Sequence, residues 1–183
     1  MCEGWTNRDL AAHLYVRERQ PWFAAGMFIE ALSGKLDAAM NAQSRRDYAT
    51  VVREWAAGPP ALLKPFDARI NTLEHFIHHE DVRRGGVEDF SVREFAREDE
   101  EALREALKGI ARMMLKKSTV PVIIEPRGLQ RFTAKEIRGV SEDGSRVAHI
   151  RGPIGEIAMY LYGRVHRDVE VLGAVDGLRI SSL

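Results

Sequence analysis

The stretch NTLEHFIHHEDVRR, Asn71 to Arg84, constrains this chain most, because helical spacing would put ionisable side chains where a helix ought to be apolar. Read as a helix capped by Asn71, its inward stripe at i, i+3 and i+4 intervals runs Ile70, Leu73, Glu74, Ile77, His78, Asp81. Glu74 and His78 then stand one turn apart, with Cβ atoms roughly 5–6 Å from each other, close enough to share a cation. Breaking a buried charged pair by removing one partner costs on the order of 3–5 kcal/mol, so neither group should be buried alone. A divalent cation removes that cost. A salt bridge or a solvated helix face is the competing explanation, and the shared phase with Leu73 and Ile77 is what favours the cation.

A catalytic zinc keeps three protein ligands and one open position. His13 is the best third candidate, because it falls between Leu10 and Leu14 on the apolar stripe of a different helix. The alternative is a satisfied core histidine. His75 and His79 share the neighbouring face of the central helix, and a one-residue error in phase would exchange them for His78. Asp81 can hold a ligand imidazole by its other nitrogen or pair with Arg17 or Arg84. His79 and Asp81 are also the candidates for a fourth ligand, which would make the site closed and structural. His149 and His166 read as surface histidines. Cys2 has no neighbouring cation or base in sequence to activate it as a nucleophile.

The remaining chain is expected to fold as an α+β protein. Thr6 caps a first helix, with Asp9 in the third position, and Pro21 ends it. Trp22 to Met40, containing Met27 and Phe28, reads as a short helix, a turn at Ser33-Gly34 and a second helix. Asp47 caps a further helix that stops at Gly58-Pro59-Pro60. Pro65 lies in a loop before the central helix, and Ser91 to Lys117 is strongly helical. The period then changes. Val120 to Pro126, Arg131 to Gly139 and Ser145 to Gly152 read as strands, the last two joined by a hairpin turn at Glu142-Asp143-Gly144. Gly152 to Arg164 is a helix, and Val169 to Val175 and Gly177 to Ser182 are two more strands. The expected domains are therefore a helical bundle over 1–117 and an α/β domain over 118–183. With 27 basic and 27 acidic residues in 183, nothing suggests a nucleic-acid partner working by counterion release. No apolar run approaches the roughly 20 residues of a membrane span. A single cysteine suits a cytoplasmic location.

Two motifs carry a family resemblance. CEGWTNRDLAAHL, which contains His13, and LEHFIHHEDVRRG, with Glu74, His78 and Asp81, resemble the actinobacterial metal-binding proteins related to the mycothiol-dependent maleylpyruvate isomerase, which are DinB-like four-helix bundles. GPIGEIAMYLYGR and VEVLGAVDGLRI are similar to that group's C-terminal domain, itself like sterol carrier protein domains. The resemblance implies a ligand set of His13, Glu74 and His78, a divalent metal such as zinc, and mycothiol as co-substrate. It implies a thiol-dependent isomerase or transferase acting on a small electrophile. Arg164 would then bind a carboxylate of substrate or thiol as a fork donor, or else serve as a cation at the helix end. The family's first helix has no counterpart before Cys2 in this sequence: either the start is assigned too late or the bundle has three walls, and the apolar surface a missing wall would expose suggests a homodimer. A non-enzymatic carrier or sensor, with a structural metal and an apolar ligand in the C-terminal domain, is the alternative.

Overall fold

The computed structural model describes residues 4–24, 30–60, 64–139 and 144–181. Cys2, Met27, Phe28, the side chains of Ile70 and Asn71, the Glu142-Asp143 turn and Ser182 lie outside the described residues. The chain divides into two compact units, Met1–Ala68 and Arg69–Leu183. The change of period near Ser118 falls inside the second of these.

The first unit is helical, with α1 (Asn7–Arg19), α2 (Pro21–Ala24), a 3-10 turn (Glu30–Leu32), α3 (Ser33–Ser44) and α4 (Tyr48–Ala56). Thr6 opens α1 with a full capping box, accepting from the Asp9 amide while the Asp9 carboxylate accepts from the Thr6 amide. Asp47 caps α4 through the Thr50 amide. Leu10, Leu14 and Val16 are buried along α1, which packs against α3 and α4. Polar side chains fix the edges of that packing. Trp55 donates its indole N–H to the buried Glu18 carboxylate at 2.7 Å, and Arg19 donates to the carbonyls of Glu54 and Gly58, where α4 ends. Ser33 and Gly34 do not interrupt a helix, as the sequence suggested. They are the first turn of α3, where glycine costs least.

The second unit takes α5 (Lys64–Arg84) from Arg69 onward, α6 (Arg97–Met114), β1 (Val122–Pro126), β2 (Phe132–Lys135), β3 (Ala148–Gly152), α7 (Ile154–Leu161), β4 (Glu170–Gly173) and a 3-10 turn (Val175–Gly177). Helix α5 begins a full two turns before Asn71, so Asn71 is not its cap. Pro65 does not block it, because a first-turn amide has no helical acceptor to lose. Helix α6 begins at Arg97 rather than Ser91. The six residues before it form no regular element and are tied down by Arg83 on the Ser91 carbonyl and by Arg93 on Glu80.

The sheet runs in the order β2-β1-β3-β4, with β1 and β3 parallel and the outer strands antiparallel. The expected hairpin between the second and third strands is therefore not formed. Strand β1 lies between them, because pairing it on both edges buries its apolar run more fully than an edge position would. Val122, Ile124, Ala148 and Ile150 enter one core with Leu73, Ile77, Leu107, Met114, Ile157 and Leu161. The final expected strand, Gly177 to Ser182, is not a strand over its described residues. Its backbone bonds run to Ser118, Thr119 and the Met114 carbonyl. Gly177 is needed there, since a Cβ would press into the Val120 side chain at 2.5 Å.

Helices α5 and α7 are joined by buried charge. Arg84 donates Nε to Glu80 at 2.7 Å and both Nη atoms to Glu156, while its guanidinium lies over the Phe90 ring at 4.4 Å. Arg167 covers the same ring at 4.5 Å. Burial would raise the Glu80 carboxyl, but Arg83, Arg84 and Arg93 outweigh it and hold its pKa at about 2. On the other face of the sheet, Glu125 on β1 accepts from His149 and Arg151 on β3.

Two outcomes follow from these pairs. Glu156→Gln should lower unfolding free energy by about 3 kcal/mol, near the lower end for a broken buried pair because Arg84 keeps Glu80, as read from a denaturant midpoint. Burial pushes the Glu125 carboxyl up, but Arg151 and His149 hold it below its ordinary value of 4.5. Its contribution is thus present above pH 4.5 and lost as the solution is acidified through the lower folded value. Glu125→Gln should be less stable than wild type at pH 7, with the gap closing in acid.

Candidate metal centre

In the second unit, the inner stripe of α5 keeps the phase its spacing implies. Leu73, Ile77, His78 and Asp81 are buried and Glu74 is half-buried, so the polar members lie alongside the core. Glu74 Oε2 and His78 Nε2 are 3.5 Å apart. Two donors at 2.0–2.1 Å from one zinc, at a tetrahedral angle, lie roughly 3.3 Å apart, so this pair is spaced to share an ion.

The other imidazole nitrogen is held from behind. His78 Nδ1 lies 3.2 Å from Asp81 Oδ2, and Arg164 donates Nε to Asp81 Oδ1 at 3.0 Å. With its proton on Nδ1, His78 donates to Asp81 and turns the Nε2 lone pair toward Glu74. This is the carboxylate-imidazole arrangement that orients metal-bound histidines. Burial disfavours an imidazolium here, but hydrogen bonds and charges from Asp81 and Glu74 outweigh it and raise the His78 pKa above its ordinary value. An imidazole flanked by two carboxylates calls for positive charge, and a cation on the Nε2 side satisfies the same demand. Asp81 behaves conversely. Burial pushes its carboxyl up, but His78 and Arg164 hold it well below the usual range.

The other candidates sort clearly. Asp81 supports the imidazole and pairs with Arg164 rather than with Arg84, whose guanidinium goes to Glu80 and Glu156. His75 and His79 are exposed, and His79 Nδ1 lies 2.9 Å from Arg93 Nη1, away from the Glu74 pair. His149 sits with Glu125 on the sheet, and His166 stacks edge-on to Tyr160. Arg164 also donates Nη1 to the Tyr162 carbonyl at the end of α7, as expected of a cation at a helix C-terminus. In the first unit, His13 is half-buried on α1 with its ring 5.3 Å from that of Trp5. His13 offers an imidazole donor within its own unit, while Glu74 and His78 supply a carboxylate and an imidazole in the second.

Sequence reasoning missed Tyr162, whose hydroxyl donates to Glu74 Oε1 at 3.3 Å, and the Glu80–Arg84–Glu156 bridge. A glutamate among the apolar residues of IGEIAMYL was the available signal for the bridge. The fold and the site define an α+β protein with a candidate site for a divalent cation. Comparisons with protein-family models, curated proteins and solved structures find no match to the chain.

Removing the cation behind Asp81 should be costly only while Asp81 is charged. Arg164→Met should destabilise the protein by about 2 kcal/mol, and Asp81→Asn in the same chain should recover most of that loss in a double-mutant cycle.

Proposed function

We propose that this protein binds a divalent cation, zinc by preference, through Glu74 and His78 with His13 as the third protein ligand. The observation that carries the reading is the 3.5 Å approach of Glu74 Oε2 to His78 Nε2 while Asp81 engages the opposite imidazole nitrogen. Nitrogen and oxygen donors on helices suit zinc better than the hard all-oxygen cages of calcium or magnesium.

We further propose the activity suggested by the resemblance to the mycothiol-dependent isomerase group and its DinB-like bundles. The protein would catalyse transfer of a low-molecular-weight thiol of the mycothiol type to a small electrophile, or thiol-assisted isomerisation of one, in the cytoplasm. When bound, a divalent cation supplies the positive charge that makes a coordinated thiol more acidic. The chain's own residues would do the rest. Glu74 and His78 offer donor atoms, Asp81 fixes the imidazole, and Arg164 holds Asp81 or turns an Nη edge to a substrate carboxylate. Among the described residues, no helix is long and apolar enough to cross a membrane.

Metal content of the purified protein tests the site. Wild type should carry close to one zinc per chain and His78→Ala far less, and equal content in the two would end the reading. Metal-loaded protein should then turn over a thiol with at least one of a panel of small electrophiles. Turnover no faster than the metal-free control with every pair would remove the thiol-dependent activity and leave a carrier or sensor.

A further inference from the structure

We infer that Tyr162 is a positioning residue for the ligand carboxylate: its hydroxyl, 3.3 Å from Glu74 Oε1, keeps Glu74 a one-oxygen ligand through Oε2. The inference rests on the reading of Glu74 and His78 as cation ligands. A carboxylate can meet a cation with one oxygen or with two, and what decides is whether the second oxygen is engaged elsewhere. Here the two oxygens face different partners. Oε1 accepts from the phenol and Oε2 faces the imidazole at 3.5 Å.

Tyr162 is well placed to be firm. It ends α7, with its amide bonded to the Ala158 carbonyl at 3.1 Å, and α7 is held to α5 by the buried Glu156–Arg84 pair. Two residues further on, Arg164 grips Asp81, which in turn faces His78. One turn of chain therefore sends a neutral donor to the outer oxygen of the ligand carboxylate and a charged donor to the carboxylate behind the ligand imidazole. A one-oxygen Glu74 keeps the coordination number low, which leaves a position for an incoming thiol or water.

Cobalt(II) titration of the full chain, followed by visible absorption, tests this, because four-coordinate cobalt absorbs far more strongly than five- or six-coordinate cobalt. Wild type should bind with an intense band. Tyr162→Phe keeps the ring and its packing, so it should melt as wild type does in the metal-free form. It should nonetheless bind cobalt about tenfold more weakly and with a weaker band, as Glu74 swings to two-oxygen ligation. A Tyr162→Phe titration that overlays wild type in both affinity and spectrum would overturn the inference and leave the site standing, provided Glu74→Gln and His78→Ala have lost the intense band. Were wild type to show no saturable cobalt band, or were Glu74→Gln and His78→Ala to titrate as wild type does, the site and this inference would fall together. Should Tyr162→Phe melt early, the comparison moves to saturating cobalt well below its melting temperature, where a band as intense per bound cobalt as that of wild type would also overturn it.

Discussion

Arg84 is the hinge of the second unit's chemistry, because one buried guanidinium satisfies two buried carboxylates on different helices. Glu80 and Glu156 are 0% and 2% exposed and Arg84 itself 8%, so none of the three can fall back on water. Desolvating such groups can cost as much as their attraction returns, so the bridge adds less to net stability than its geometry suggests. Its effect is on alignment. Any relative slide of α5 and α7 strands a charge in the core, and the Phe90 ring lying against the guanidiniums of both Arg84 and Arg167 narrows the choice further.

That alignment reaches the candidate site through the end of α7. Six residues after Glu156, Tyr162 meets Glu74, and two residues later Arg164 meets Asp81. On α5 the same ladder of i, i+3 and i+4 spacings assigns Leu73 and Ile77 to the core and Glu74, His78 and Asp81 to the stripe beside it. A structural bridge at Glu80 and Arg84 and a chemical group at Glu74, His78 and Asp81 thus occupy one helix without competing, since they project at different angles from it.

What was readable in the sequence is what depends on neighbours a turn away. The Glu74–His78 pairing, the support of His78 by Asp81, the Thr6 capping box and the Asp47 cap all follow from local spacing, and each is found. The strand order was not readable. β1, β2 and β3 each carry a plausible apolar pattern, and only pairing between distant segments puts β1 in the middle with a parallel neighbour. The helix boundaries failed where a proline or a polar residue has two meanings. Pro65 reads as a loop residue and sits in a first turn, and the residues from Ser91 carry a helical pattern yet stay outside the helix, with Arg93 drawn to Glu80. The bridge from Arg84 to Glu156 was not readable either, because Glu156 lies 72 residues away, beyond any local rule.

Arg164 shows how far placement limits role. Two-pronged recognition of a carboxylate needs two parallel N–H groups on one edge of the guanidinium. The Nε here is committed to Asp81, whose side chain is 1% exposed and therefore expensive to abandon, and Nη1 reaches the Tyr162 carbonyl at 3.3 Å. A substrate carboxylate competing for the Nε edge would have to leave Asp81 buried beside an imidazole with one positive partner fewer.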